Sequence, residues 1–235
     1  MQLFYNPTIT KSTQQVTFDK TESRHIVRVL RKKEDELVFI TNGLGMLFTA
    51  KIILANDKKC SVEIILAENK PSNRNYYLHI AIAPTKLNDR FEWFLEKATE
   101  IGIDEITPII CEHSERKVVK MERMEKIIHV AAKQSLKFNF PKINEPIAFQ
   151  KFIKIPFEGK KLIAHCEKTA KNNLKSVIQK QDKTTILIGP EGDFSSNEIQ
   201  QSLEHNYIPV SLGESRLRTE TAGIVAVHSI IFINE

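Results

Sequence analysis

Over the first 70 positions, apolar residues fall in short alternating runs. Leu3–Tyr5, Val16–Phe18, Leu37–Thr41, Met46–Leu54 and Cys60–Ala67 read as strands. Asn42-Gly43-Leu44-Gly45 predicts a hairpin connection between the third and fourth. One helix, from about Thr21 to Leu30, interrupts them. From Leu78 onward the period changes. Strands at Leu78–Ala83, Ile106–Cys111, Leu162–His165, Thr185–Ile188 and Ile208–Leu212 alternate with helices at Leu87–Gly102, Met121–Ser135, Asn173–Gln179, Ser195–Leu203 and Thr221–Ile233. Such alternation predicts a mostly parallel sheet covered by helices. The polar, Pro-containing stretch Glu68–Asn75 reads as a linker. The expectation is an α/β protein of two domains, a small β-rich 1–70 and a larger 71–235.

Two helices carry further information. In 87–102, Leu87, Phe91, Phe94, Leu95, Ala98 and Ile101 form an apolar stripe. Glu92, Glu96 and Glu100 form a second stripe, read as a solvated face, and Gly102 reads as a C-cap. The last helix, Ala222–Ile233, is greasy around most of its circumference. It needs cover from the core or from a second subunit.

Composition narrows the class. Of 235 residues, 41% are hydrophobic and 27% charged, the balance of a soluble globular chain. That excludes a disordered polymer, a collagen-like fibre and a disulfide scaffold. No run of 18 apolar residues exists, so no membrane span is expected. The start Met1–Pro7 lacks a basic region followed by a long apolar stretch, so no signal peptide is expected. Cys60, Cys111 and Cys166 form no CxxC pair and predict no metal site. They read as buried, reduced thiols of a cytoplasmic protein.

The net charge of +5 hints only mildly at a polyanionic partner. Its distribution says more, because residues 1–70 hold 11 Lys and Arg against 8 Asp and Glu. Arg24, Arg28, Arg31 and Lys32 have the spacing of one helical face, with Ile26, Val29 and Leu30 on the other. That face suits phosphates or plain solvent. Arg116, Lys117, Lys120 and Arg123 form a second basic patch.

Candidate chemistry concentrates in 186–223. The apolar strand Ile186–Ile188 runs into Gly189-Pro190-Glu191-Gly192, and Ser195 with Glu198 forms a capping box. The loop therefore lies at the carboxyl end of a parallel strand, where open α/β sheets bind ligands. Gly189 and Gly192 are expected to allow positive φ and close approach. A second strand ends at Leu212-Gly213, followed by Glu214–Thr221 before the apolar helix. Thr219 or Thr221 as a plain N-cap is the structural alternative to a ligand site. His165-Cys166-Glu167 at another strand end either lines the pocket or clusters by chance. The first strand of the α/β domain ends Ala83-Pro84-Thr85-Lys86 without glycine, unlike a Rossmann phosphate loop, and no P-loop or HExxH occurs.

Gly189–Gly192, Leu212-Gly213 and Leu217–Ala222, in that order, resemble the RsmE family of SPOUT methyltransferases. His25–Arg31, Lys97–Glu100 with Gly102, Ser114–Arg116, and Gln134-Ser135 with Pro141 extend the resemblance over nearly the whole chain. It implies a PUA-like N-terminal domain, a C-terminal domain with a trefoil knot, and a homodimer. It implies methyl transfer from S-adenosylmethionine to the position-three nitrogen of a uridine in 16S rRNA, with the rRNA or small ribosomal subunit as partner. Implied cofactor contacts are Ile188, Gly189, Pro190, Gly192, Leu212, Gly213, Leu217, Arg218, Thr219, Thr221 and Ala222. Arg218 is the expected cation for charge developing on uracil, and Glu220 and Glu191 are candidate bases. A buried Arg218–Glu220 pair is the competing structural reading. Arg24, His25, Arg28, Arg31, Lys32, Arg116 and Arg123 are the expected RNA contacts. Two departures stand out: Asp193 where the family has a second glycine, and Ser215 where it commonly has arginine. An inactive RNA-binding or ribosome-assembly module, or a SPOUT enzyme acting on another RNA, are the alternatives. Intact Gly189, Gly192, Gly213 and Arg218 speak against the first, and the N-terminal domain against the second.

Overall fold

The computed structural model describes residues 1–235. It divides into one unit of Met1–Asn73 with Ala132–Phe140, and a second of Arg74–Ala131 with Pro141–Glu235. No helix is long and apolar enough to cross a membrane.

The first unit is a five-stranded sheet. Its strands are β1 (Leu3–Tyr5), β2 (Gln15–Thr17), β3 (Leu37–Thr41), β4 (Met46–Leu54) and β5 (Ser61–Asn69), in the order β1-β3-β4-β5-β2. β3, β4 and β5 form an antiparallel meander, and β1 runs parallel to β3. Phe4, Ile26, Ile40, Phe48, Ile52 and Val62 fill the core. The hairpin turn at 42–45 needs Gly43 at φ 74° and Gly45 at φ 85°. Its outer edge is paired by residues far along the chain: Gly45 N–H donates to the Phe138 carbonyl (2.8 Å) and Phe140 N–H to that of Gly43 (2.9 Å). Glu68 and Asn69 belong to β5, so the irregular stretch begins at Lys70, two residues later than the sequence suggests.

The helix expected at 21–30 is different in kind. Asp19 caps α1 (Lys20–Arg24) through the Glu22 N–H at 2.8 Å. The chain then widens into a π-helical turn, His25–Val29, closed by Leu30 N–H donating to the His25 carbonyl five residues back (2.9 Å). Arg31 ends it at φ 55°. The wider turn shifts the helical phase, so Arg24, Arg28, Arg31 and Lys32 do not share one α-helical face. Val29, expected on the apolar side, is 67% exposed. Arg28 pairs with Asp57 (2.8 Å) and Lys32 with Glu36 (3.0 Å).

The second unit is a parallel sheet between two helical layers. Its strands are β6 (Tyr77–Ile82), β7 (Glu105–Ile110), β8 (Lys142–Ile143), β9 (Ile147–Ala148), β10 (Lys160–Ala164), β11 (Asn172–Asn173), β12 (Lys183–Ile188) and β13 (Ile208–Ser211). The order is β11-β13-β10-β12-β6-β7-β8, with β9 also on β7, and every pairing is parallel. β12 thus inserts between two strands formed earlier in the chain. Strand alternation divides the core. Leu78, Ile80 and Ile82 face α2 (Asn88–Ile101), α3 (Met121–Gln134) and α7 (Thr219–Asn234). Ala81, Ile109, Ile163 and Leu187 face α4 (Phe149–Phe152) and α6 (Ser196–Glu204).

Gly102 terminates α2 at φ 125°, as its C-cap position predicts. The acidic stripe on α2 is not simply solvated: Glu92 pairs with Arg123 (2.6 Å), and Glu96 and Glu100 with Lys97 (2.7 and 3.1 Å). The helix expected at 173–179 is one turn, α5 (Leu174–Val177), because buried Ile178 turns to an extended conformation. α7 starts two residues before the expected Thr221.

Candidate functional site

The site is built from loops at the carboxyl ends of β6, β10, β12 and β13. After β12, Asp193 N–H donates to the Pro190 carbonyl at 2.9 Å and closes the 190–193 turn. Neither Gly189 nor Gly192 takes positive φ, contrary to expectation; Asp193 does, at 64°. The glycines supply space instead. A Cβ on Gly189 would lie 3.1 Å from the Phe194 ring, and one on Gly192 would lie 3.0 Å from His113 Cβ. Asp is among the few residues that visit the left-handed region readily, and its carboxylate is used. One oxygen accepts from Cys166 N–H (2.7 Å) and the other from Phe194 N–H (2.9 Å). The departure from a second glycine thus ties two loops together.

The capping box is present in both halves, at 3.3 Å and 3.0 Å between Ser195 and Glu198. Glu198 is buried, and its second oxygen accepts from Glu112 N–H at 2.9 Å. The 111–116 turn is therefore fixed beneath the 190–198 segment. His113 Nδ1 lies 3.1 Å from the Gly192 and Asp193 carbonyls.

The 212–219 loop arrives from β13, with Gly213 at φ 136°. Arg218 occupies the N-cap of α7 without a side-chain bond, so neither Thr219 nor Thr221 is the cap. Thr219 is buried, and its hydroxyl donates to the Gly189 carbonyl at 3.0 Å. Two loops 30 residues apart are joined by that bond. The competing Arg218–Glu220 pair does not form. Arg218 is exposed, while Glu220 is 6% exposed with Oε1 3.8 Å from Arg90 Nε.

Between these loops lies a cavity of about 500 Å³ adjoining a smaller one of about 230 Å³. Leu212, Gly213, Leu217 and Ala222 line the larger lobe. Ile188, Gly189, Pro190, Glu191, Leu217, Arg218, Thr219 and Ala222 line the smaller. Gly192, Glu220 and Thr221 line neither. In Glu220 this has a clear cause: the first turn of α7 points its carboxylate into the protein, toward Arg90. Ala164, His165, Cys166, Glu167, Lys171, Asp193 and Arg216 also line the larger lobe. Of these, the His165–Glu167 cluster, Asp193 and Arg216 stood out in the sequence, while Ala164 and Lys171 carried no signal. Cys166 is exposed, unlike buried Cys60 and Cys111, because its loop opens onto the cavity.

Charges at the rim are held by backbone. Glu191 accepts from Lys86 N–H (2.9 Å), and Lys86 Nζ pairs with Glu115 (2.8 Å). Arg116 donates to the carbonyls of Thr85 (3.1 Å) and Lys86 (2.6 Å). Arg116 and Arg123, expected on RNA, thus spend their guanidinium groups within the protein, the latter on Glu92. The buried imidazole of His165 has neither nitrogen hydrogen-bonded within the protein. Apolar walls from Val210, Leu212 and Leu217, backbone groups at 189–190 and an unsatisfied buried ring make a cavity suited to an adenosine-bearing ligand.

A chain that has a strand-end cavity in a parallel α/β unit and also a small β-rich unit falls, by its family matches, in the RNA methyltransferase class. Residues 72–231 match the model of the RNA methyltransferase domain, and 18–65 match the RNA methyltransferase PUA domain. The chain belongs to the ribosomal RNA small subunit methyltransferase E family. It is 31% identical to that enzyme of Buchnera aphidicola subsp. Acyrthosiphon pisum, across 92% of this chain and 87% of the relative. It is 28% identical to that of Bacillus subtilis, across 91% and 88%. A crystal structure of a probable rRNA-methyltransferase from Porphyromonas gingivalis superimposes with a TM-score of 0.93 at 41% identity, covering 100% of this chain and 98% of that one. The Neisseria gonorrhoeae ribosomal RNA small subunit methyltransferase E, bound to S-adenosyl methionine, gives 0.86 at 27% identity, with 100% and 98% coverage.

Proposed function

We propose that the protein methylates the position-three nitrogen of a uridine in 16S rRNA with S-adenosylmethionine as donor. One observation carries the reading beyond family membership. The Thr219–Gly189 bond joins the two loops that carry the resemblance around the cavity. The cofactor supplies a methyl group on a sulfonium, which departs neutral and needs no acid. The residues of this chain have the remaining tasks. Ile188, Gly189, Pro190, Leu212, Gly213, Leu217, Thr219 and Ala222 hold the ligand from the loops. Arg218, exposed at the head of α7, stabilises negative charge on the uracil oxygens as the imino proton leaves. Glu191, fixed by Lys86 N–H at the same lobe, is the better placed base, since Glu220 faces Arg90.

The insertion of β12 between β10 and β6, with Thr219 bonded behind it, supports a trefoil-knotted chain. The apolar exposed side of α7, with Phe232 69% exposed, supports a homodimer through this helix. The domain 1–70 captures RNA through exposed Arg24, Arg28 and Arg31 with His25, and the domain 71–235 performs transfer in the cytoplasm. Calorimetric titration with S-adenosylmethionine tests the donor; absence of binding favours a module without catalysis. Mass spectrometry of 16S rRNA from a deletion strain tests the product. One uridine methylation is expected to vanish and to return with the gene, and an unchanged rRNA refutes the assignment.

A further inference from the structure

His165 stands out among the buried polar groups. It follows the last residue of β10, is 7% exposed, and leaves both Nδ1 and Nε2 without a partner in the protein. The other buried histidine, His79, is satisfied by the Thr107 hydroxyl at 2.7 Å. Buried polar atoms are nearly always hydrogen-bonded, so an imidazole missing both bonds on a cavity wall has the character of half a binding site. Its backbone is held by two other residues of the cavity lining. Lys171 Nζ donates to the His165 carbonyl (3.0 Å) and to that of Glu167 (2.6 Å), while Asp193 fixes the next residue through Cys166 N–H.

His165 lines the larger lobe only, whereas Arg218 and Glu191 line the smaller. The reacting methyl belongs near the latter pair, so His165 meets the part of the ligand remote from the reaction. The larger lobe carries charged Lys171, Asp193 and Arg216, and its apolar walls Val210, Leu212 and Leu217 suit a flat base. Resting on the proposed use of S-adenosylmethionine, we infer that His165 hydrogen-bonds the adenosine half of the cofactor and positions it. It is a binding residue, distant from the transferred group. Burial first, and the Lys171 ammonium second, hold its pKa below the ordinary range of histidine. The ring is therefore neutral at pH 7, with one nitrogen donating and one accepting, a match for the donors and acceptors of a nucleoside.

Calorimetry with S-adenosylmethionine and with 5′-methylthioadenosine, which lacks the amino-acid tail, tests this on the intact chain. His165→Phe keeps a flat ring without polar atoms, and is expected to weaken both ligands about tenfold. His165→Asn or His165→Gln, which place an amide near Nδ1 or Nε2, is expected to restore most of the affinity. Thermal melts identify folded variants, and His165→Leu takes the place of His165→Phe should the latter not fold. Unchanged affinity in the folded variant overturns the inference. So does a loss that neither amide repairs, and so does a loss confined to S-adenosylmethionine. If the wild-type protein itself binds neither ligand, the methyltransferase reading fails and the inference falls with it.

Discussion

Arg218 and His79 show how much a single side chain depends on its surroundings. Arg218 heads α7, exposed on the lining of the smaller lobe, and under the proposed function it meets charge developing on a bound base. Arg218→Ala is expected to lower the methyl-transfer rate about 100-fold. Cofactor affinity by calorimetry should change little; full turnover would remove Arg218 from the chemistry. His79 lies within the central strand β6, bonded to Thr107, which also accepts from Asn144 (2.7 Å). Burial pushes its pKa down from 6.5 to about 4, against Glu105, which raises it, and with Lys142, which lowers it. Between those values the unfolded chain binds the proton and the native chain does not. Stability therefore falls as pH drops through this window, by up to about 3 kcal/mol from this group. Melting curves from pH 7 to 4.5 should show the slope, and His79→Gln should flatten it.

At the scale of elements, α7 and α2 pack closely. Gly223 lies where α7 meets Phe94 of α2, and a Cβ there would stand 2.7 Å from Phe94 Cε2 and 2.9 Å from Ile82 Cδ1. Gly223→Ala is expected to cost about 1–3 kcal/mol in denaturant unfolding by overpacking. A neutral result would mean that Phe94 yields without strain. Local sequence signals worked best where an element is fixed by its own residues. The capping box of α6, the glycine stop of α2 and the β3–β4 hairpin all depend on neighbours within a few positions. They worked least where the backbone departs from ideal phase. The π turn at His25–Val29 leaves no mark in apolar spacing, so a basic face over 24–32 has no continuous α-helix to lie on. The positive φ expected at Gly189 and Gly192 falls on Asp193, whose carboxylate gains two backbone donors there.

Over the whole molecule, the charge and the apolar surface each lead to an expected outcome. Arg24 and Arg31 are exposed and make no ion pair, so they are the best candidates for phosphate contact. Arg24→Ala with Arg31→Ala should lower the salt slope of RNA binding by about two, if each meets one phosphate. An unchanged slope would assign the binding elsewhere. The exposed side of α7 should make the protein a dimer at micromolar concentration. Light scattering is expected to give twice the chain mass for the wild type and the single mass for Phe232→Glu; a monomeric wild type refutes the interface.

The sequence by itself determined the α/β alternation, the β-rich leading segment and the two strand-end loops that carry the family resemblance. Apolar periodicity, caps and glycine turns are local, and they are written in adjacent residues. The tertiary structure decided which side chains meet. It put residues 132–140 at the edge of the first unit's hairpin, turned Glu220 inward to Arg90 and spent Arg116 on the carbonyls of Thr85 and Lys86. It bonded Thr219 to Gly189 and brought His165 to the cavity wall with both nitrogens unpaired. Each of these rests on contacts between positions tens of residues apart. Strand order fixes such contacts, and no local pattern encodes strand order.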